Sequence, residues 1–482
     1  MRDKALTPNK TLSSSPAIVK TPSRPIGHRG VKRGLFYGNK TVKGRNVNEN
    51  KPYAIDWQAS SYAKDTFAYS SKKGQSHKVG ILKDGHYLAY LTLPLHIFSK
   101  DQRGQVVASF YKNGSLEGVR HATSRSSYIR NIASSNKKGS LHIHALLPHL
   151  KAGDTLAVKL VRAGVKGDIR ILSKASLYLE KVTEERVFIH ADATELASGS
   201  DFNKKSASPL LWENPLNESA VFSLAESQGH ITLKESGYYL IHFSLPYKVA
   251  CAGSSRVSLR ARIKLDNELS PLGEAEQGYV RCSKEHQSSS LHWSGWVKSR
   301  AMQKLSVTIN KQTGTRYRAG IYKGARGSIY IEKLETSKVL SALSQKKSEN
   351  FFNDKATIAF EEGSLVDDKT YHLSGDTITV LEKGSYTLIY NDFLSSIRSR
   401  ANSAIMISLN SKLLPHAACY DHYIRAAQGA NHASCALVYP LTGLKKGDKI
   451  KIHTSPSGQL GRVLGAARLL LRFQGEPQAS RP

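Results

Sequence analysis

The stretch Ile231–Pro246 reads ITLKESGYYLIHFSLP, and shortened copies of it stand near Val79 and Ile378. In the first copy Val79, Ile81 and Gly85 open VGILKDGHYLAYLTLP; in the third, Ile378, Val380 and Gly384 open ITVLEKGSYTLIYNDF. Each copy is an apolar alternation, a polar corner, a glycine and a Tyr-rich alternation. Residues two apart share one face of a strand, and glycine accepts turn geometry that a Cβ resists, so the pattern predicts strand, turn, strand. The glycines at 85, 237 and 384 lie 152 and 147 residues apart. That period is one domain, not one propeller blade or solenoid turn. A chain of 482 residues at about 150 residues per domain also gives roughly three. The expected layout is an extended basic arm over residues 1–52, domains over 53–183, 184–336 and 337–475, and a tail over 476–482.

Composition adds a polarity. The net charge is +32, and it is unevenly placed. Residues 1–52 carry 12 Lys and Arg against 2 acids, and residues 53–183 carry 20 against 8. The second and third domains carry 20 against 16 and 17 against 11. One end of the molecule is therefore suited to an anionic partner: nucleic acid, an acidic protein surface or lipid headgroups. The four cysteines, at 251, 282, 419 and 435, form no CxxC pair and do not recur between repeats. The expectation is no disulfide framework, no structural zinc and synthesis in a reducing compartment. No apolar run is long enough for a membrane span, and the first residues lack an apolar signal core, so a soluble protein outside the ordinary secretory route is expected.

Further landmarks keep the same phase. Hairpin turns are expected at Asn113-Gly114, Asp266-Asn267 and Asn410-Ser411. Each repeat then carries Tyr, a β-branched residue and Arg, at Tyr128-Ile129-Arg130, Tyr279-Val280-Arg281 and Tyr423-Ile424-Arg425. A Leu-Lys-x-Gly-Asp turn precedes a late strand at Leu150 and Leu444, whereas the middle repeat has Met302-Gln303 in place of Gly-Asp. Closing strands read SLYLEKV, SIYIEKL and RLLLRFQ. Helical periodicity is nearly absent, so an all-β sandwich or barrel is expected. In this order the landmarks resemble the jelly-roll superfamily of complement globular-head and tumour-necrosis-factor-like domains, in three tandem copies over some 400 residues. The resemblance implies three tandem jelly-roll β-sandwiches that bind or assemble, with trimeric association through aromatic-rich strands, no reaction and no cofactor. Whether the three copies cluster about a pseudo-threefold axis or sit as beads on a line stays open at this level.

Candidate sites are few. His142 and His144 share a strand face, but without a third ligand nearby they read as a histidine-bearing strand and not as a metal site. His416, Cys419, Asp421, His422, His432 and Cys435 have suitable side chains for a nucleophile or metal, yet their spacing fits no signature and they read as buried thiols and loop histidines. No GxSxG, Walker or HExxH sequence occurs, so no enzyme is expected. The triplet arginines Arg130, Arg281 and Arg425 have two readings: fixtures of the fold, with the β-branched residue entering the core, or forked donors at domain interfaces. In the arm, Arg24, Arg29, Lys32, Arg33, Lys40, Lys43 and Arg45 form the densest basic run, with Phe36 and Tyr37 inside it. Aromatics among cations stack on bases, or plug an apolar pocket of a neighbour.

A basic arm before tandem jelly-rolls looks like a virion protein: a coat, decoration or cement, or spike-base subunit, made in the host cytoplasm and held by its arm. Its partners would be other virion proteins or further copies of itself. The alternatives are a receptor- or glycan-binding surface module, and an arm that binds packaged nucleic acid directly.

Overall fold

The structure, a computed structural model, describes residues 31–38, 47, 52–72, 74–100, 102–126, 129–131, 137–163, 168–171, 175–193, 207–224, 229–250, 256–281, 287–312, 318–321, 325–344, 356–396, 402–420, 423–425, 430–456 and 463–475. Among these residues there are strands and turns and no α-helix. The strands form six sheets that pair into three sandwiches. In the first, one sheet runs in the order Lys138–Leu150, Gly85–Ile97, Ser176–Lys181, Arg33–Gly38, Trp57–Tyr62, and the other in the order Phe67–Tyr69, Val79–Ile81, Thr155–Ala163, Arg103–Lys112, Thr123–Arg125. The second and third sandwiches repeat this order, with Gly237–Ala250 and Gly384–Ser396 as the strands beside their closing strands. Every pairing is antiparallel.

The repeated motif forms as read. Gly85 and Gly237 sit at φ 148° and 153°, where a Cβ is disfavoured. At Gly384 the cause is crowding: a Cβ there would come within 2.4 Å of the Phe473 ring. Two residues on, a tyrosine locks the corner. Tyr87 donates to the Lys83 carbonyl and Tyr239 to the Glu235 carbonyl, both at 2.6 Å, and Tyr386 does the same to Glu382. Each hydroxyl thus stays bonded at the edge while its ring enters a core.

The hairpin turns also form where expected. Asn113, Asp266, Asn267, Asn410 and Ser411 all have positive φ, the backbone that two-residue hairpins need. Each turn is tied to the late corner. Asn113 Nδ2 donates to Asp154 Oδ1 (2.6 Å) and Asn410 Nδ2 to Asp448 Oδ1 (2.8 Å). In the middle sandwich the roles are exchanged: Gln303 Nε2 donates to Asp266 Oδ2 at 3.0 Å. Met302-Gln303 therefore does occupy the Gly-Asp corner, and its hydrogen bond survives because both partners changed.

Each sandwich has its own core. A fourth cluster lies between the sandwiches: Leu88, Tyr90, Leu146 and Tyr178 of the first, Phe188, Leu240, Trp296 and Tyr330 of the second, and Ile389, Val438 and Leu470 of the third. Contacts close in a ring. The first sandwich meets the second through Thr123–Arg125 and Lys138–Leu150 against Gly237–Ala250 and Ser288–Ser299. The second meets the third through Glu268–Arg281 and Ser288–Ser299 against Gly384–Ser396 and His432–Leu444. The third returns to the first through Lys412–Cys419 and His432–Leu444 against Gly85–Ile97 and Lys138–Leu150. The three copies are a pseudo-threefold cluster, not beads on a line. This accounts for the near-continuous burial of GHYLAYLTLPLHI: odd residues such as Tyr87 and Leu91 fill the sandwich, and Leu88 and Tyr90 fill the axis.

Met302 holds φ 65° with its side chain 64% exposed, at the corner where Gly153 and Gly447 both hold φ 93°. Met302→Gly relieves a left-handed residue without removing packing, so it should raise stability by about 0.5–1 kcal/mol. Urea unfolding of the two proteins measures this; a lower midpoint for the glycine variant would contradict it.

Candidate functional site at the interdomain axis

The chemistry-bearing side chains that the fold brings together lie at the axis. Glu180, Glu332 and Arg472 occupy equivalent places on the three closing strands, opposite Leu88, Leu240 and Thr387. Three copies of the glutamate would set three carboxylates against one another. Here the third position is an arginine, and a second arginine, Arg186, enters from the turn between the first and second sandwiches. Arg186 binds Glu180 through Nη1 and Glu332 through Nη2 and Nε, the last at 2.8 Å. Arg472 Nη1 meets Glu332 Oε1 at 3.0 Å. Tyr178 donates to Glu180 Oε2 at 2.9 Å and Tyr330 to Glu332 Oε2 at 3.0 Å.

Glu180 and Glu332 are buried, and burial alone raises a carboxyl pKa. Despite the burial penalty, the Arg186 and Arg472 guanidinium groups hold Glu332 down at about 2. Burial also opposes the charge on Arg186, but Glu332, Tyr330 and Glu180 push its pKa well above the usual range. Glu332 and Arg186 are therefore both charged. Glu276 shows the contrast. Buried at the second interface, with Arg260 as its close cation (2.7 Å), it is pushed up to about 7 by desolvation.

A second polar layer sits beside the quartet. Ser294 Oγ lies 2.8 Å from His144 Nδ1 and 2.9 Å from His242 Nδ1. Tyr90 OH lies 3.2 Å from His242 Nε2, and Ser124 Oγ 2.9 Å from His292 Nε2. All three histidines are buried or nearly so, and burial lowers their pKa: His242 to about 3, His292 to about 4, and His144 well below the usual value. His142 turns to its own strand neighbours, with Nε2 2.9 Å from Ser140 Oγ and Nδ1 3.4 Å from Thr92 Oγ1. His142 and His144 are thus buried interface residues.

The structure corrects the arm where it overlaps the described residues. Arg33–Gly38 is a strand of the first sandwich, paired with Ser176–Lys181 on one side and Trp57–Tyr62 on the other. Phe36 is fully buried in the first core, so it stacks on no base. Tyr37 does plug a neighbour, but within the chain: its ring lies 4.2 Å from that of His416, and its hydroxyl 3.2 Å from that of Tyr439. Arg33 donates to the Gln474 carbonyl of the third sandwich at 2.6 Å, and Lys32 pairs with Asp65 at 2.7 Å. Sequence reasoning missed this strand because basic residues flank a short apolar core. Its signal was the matching leading strands Phe188–Ala193 and Val339–Ser344, which pair with their own closing strands in the same way. Arg24, Arg29, Lys40, Lys43 and Arg45 lie outside the described residues.

Of the triplets, Ile129, Val280 and Ile424 enter the cores as alternation required. Arg130 and Arg425 are half-buried, and the side chain of Arg281 lies outside what is described. The structure places other arginines at the interfaces: Arg186 and Arg472 at the axis, Arg125 on Ser288, Arg260 on His432, and Arg468 on the Trp296 carbonyl. No repeat landmark marks them, because each interface is chemically its own.

Cys419 and Cys435 are joined by a disulfide that closes a 16-residue separation, with Cα atoms 6.5 Å apart. This corrects their reading as separate buried thiols. It sits at the contact of third and first sandwiches, where Tyr420 N donates to Ser140 Oγ at 3.0 Å. His416 and His432 belong to interfaces, and Asp421 and His422 lie outside the described residues. Among the described residues no helix is long and apolar enough to cross a membrane.

No protein-family model matches the chain, and no curated protein matches it. Among solved structures, Eiger, a tumour necrosis factor from S. frugiperda, is similar at 20% identity and a TM-score of 0.24, over 32% of this chain and 94% of that one.

Removing one member of the axial quartet leaves a buried charge without its partner. Arg186→Met should therefore cost about 3–5 kcal/mol in denaturant unfolding; a loss under about 1 kcal/mol would mean that the quartet does not hold the cluster together. Acid should act on the histidine layer. A histidine whose folded pKa is depressed leaves the unfolded chain binding more protons, so its contribution is fully present above about pH 6.5 and is lost as pH falls towards the folded value. For His242 and His292 the loss is about 2 kcal/mol each by pH 5. Glu276, raised to about 7, works the other way and recovers about 2 kcal/mol over the same range. Urea unfolding at pH 7 and pH 5 should show a net loss of at least about 2 kcal/mol, and His242→Phe should shrink it.

Proposed function

We propose that this protein is a non-enzymatic structural subunit of a virus or phage particle, held there by its basic amino-terminal residues. The observation that carries the reading is the closed ring of three sandwiches behind a strongly basic leading segment. The aromatic-rich faces are spent within the chain, at the axis. What remains for partners is the outward sheets and residues 1–30, whose lysines and arginines precede the first strand. Such a unit supplies three similar outer faces on one rigid body, as a decoration, cement or spike-base position requires. The polar groups buried at the axis support the reading in a second way. Glu180, Glu332, Arg186 and Arg472 are engaged in one another's ion pairs, with Tyr178 and Tyr330 donating to the carboxylates, as a structural interface needs.

Deletion must spare the strand Arg33–Gly38, because removing it would expose the first core. The variant lacking residues 1–30 should melt at the temperature of the full chain and keep the full chain's oligomeric state by light scattering, while its incorporation into particles of the native source falls at least tenfold. Undiminished incorporation would remove the anchoring role. Salt-sensitive retention of nucleic acid by the full chain, lost on the same deletion, would shift the partner from a protein lattice to the packaged genome.

A further inference from the structure

The first and second sandwiches share a cavity of about 590 Å³ whose wall carries three converging donor atoms. His121 and His190 are almost fully buried, and the Asp192 side chain is 13% exposed. His121 Nε2 is bonded to the Leu146 carbonyl, so Nε2 carries the proton and Nδ1 is left with its lone pair. That Nδ1 lies 3.7 Å from Asp192 Oδ1. His190 Nε2 lies 4.0 Å from the same oxygen. Both separations are too long for hydrogen bonds, and neither His190 Nε2 nor Asp192 Oδ1 has a hydrogen-bond partner. All three atoms lie within 4.8 Å of one another. Two buried polar atoms are thus left open toward one point, which is costly unless something occupies it.

From this geometry we infer that His121, His190 and Asp192 bind a divalent transition-metal ion, with zinc the best match to two imidazoles and one carboxylate. Metal–ligand bonds of about 2.0–2.2 Å in a tetrahedron place ligand atoms about 3.4 Å apart. The two measured separations exceed that by less than about 1 Å. The supports are also in place. The Leu146 carbonyl fixes the His121 tautomer, and Arg326 Nη1 holds Asp192 Oδ2 at 3.1 Å, turning Oδ1 inward. Such outer contacts orient metal ligands. Glu213 lies 3.6 Å from Arg326 and offsets its charge, so Asp192 keeps a net attraction for a cation. The fourth position faces the cavity beside His149 and Glu117, open to water or to a donor from a ligand.

The fold does not require this donor set. His190 and Asp192 lie opposite Tyr330 and Ser328 of their closing strand. The equivalent positions are Leu35 and Tyr37 in the first sandwich and Ser341 and Leu343 in the third. The other two interfaces close without a histidine–aspartate group there. The ion would cross-link two sandwiches, because His121 comes from the first and its partners from the second. This inference is independent of the particle reading.

The full chain, stripped with chelator and dialysed, should bind one equivalent of zinc in calorimetric titration and melt at a higher temperature when loaded. Cobalt(II) should give the visible bands of a tetrahedral nitrogen and oxygen site. Asp192→Asn and His190→Gln should each weaken zinc binding by at least about tenfold, the scale that even outer-sphere partners of a metal carry. His149→Ala, at the cavity rim, should leave binding intact. Absence of saturable zinc binding and of tetrahedral cobalt bands in the unmodified protein would overturn the site whatever the variants do. Equal binding by the Asp192 and His190 variants would overturn it as well.

Discussion

A buried guanidinium, Arg186, bridging Glu180 of one sandwich and Glu332 of the next, is the contact on which the whole arrangement depends. Three similar domains closing on one axis bring equivalent side chains together, and an acidic residue repeated three times would repel itself in a medium that screens poorly. Arg472 stands at the third place and Arg186 enters from the connecting turn, so two anions meet two cations. Tyrosines at 178 and 330 take up remaining carboxylate lone pairs. The desolvation cost of such a group is large, and complete pairing is what makes it tolerable. A symmetric trimer of either of the first two repeats has no means to supply that asymmetry.

The same asymmetry runs through the rest of the axis. Tyr90, His144, His242 and Ser294 form a hydrogen-bonded layer from the first two sandwiches, while the third contributes Ile389, Val438 and Leu470. Each of the three interfaces has also acquired its own chemistry. The second-to-third contact uses Arg260, Glu276 and His432. The third-to-first contact uses Tyr37 against His416 and Tyr439, which lie on the same two strands that the Cys419–Cys435 disulfide joins in the third sandwich. The first-to-second contact carries His121, His190 and Asp192. Joining three domains in one chain frees each interface from serving the other two, and the chemistry differs accordingly.

Much of each sandwich was legible beforehand. Glycines at 85 and 237 hold backbone angles that favour glycine, the Asn113, Asp266 and Asn410 turns lie where the alternations break, and Ile129, Val280 and Ile424 enter the cores. These are local relations, fixed by strand period and turn sterics. The candidate sites fared otherwise. Phe36 and Tyr37 read as part of a basic arm because their neighbours are charged, yet the strand they form has a partner on each side. The continuous apolarity of GHYLAYLTLPLHI was a visible sign of burial on both faces, but not of what covers the second face.

By itself the sequence determined the number of domains, their all-β class and the phase of their strands, because periodicity and turn chemistry act within a few residues. Only the tertiary structure decided that the three close into a ring, that Arg33–Gly38 joins the first sheet, and that His121 comes to face His190 and Asp192. Those contacts link residues with no fixed separation along the chain. A strand's alternation says which side chains must be covered; the partner that covers them is set by how whole sheets pack.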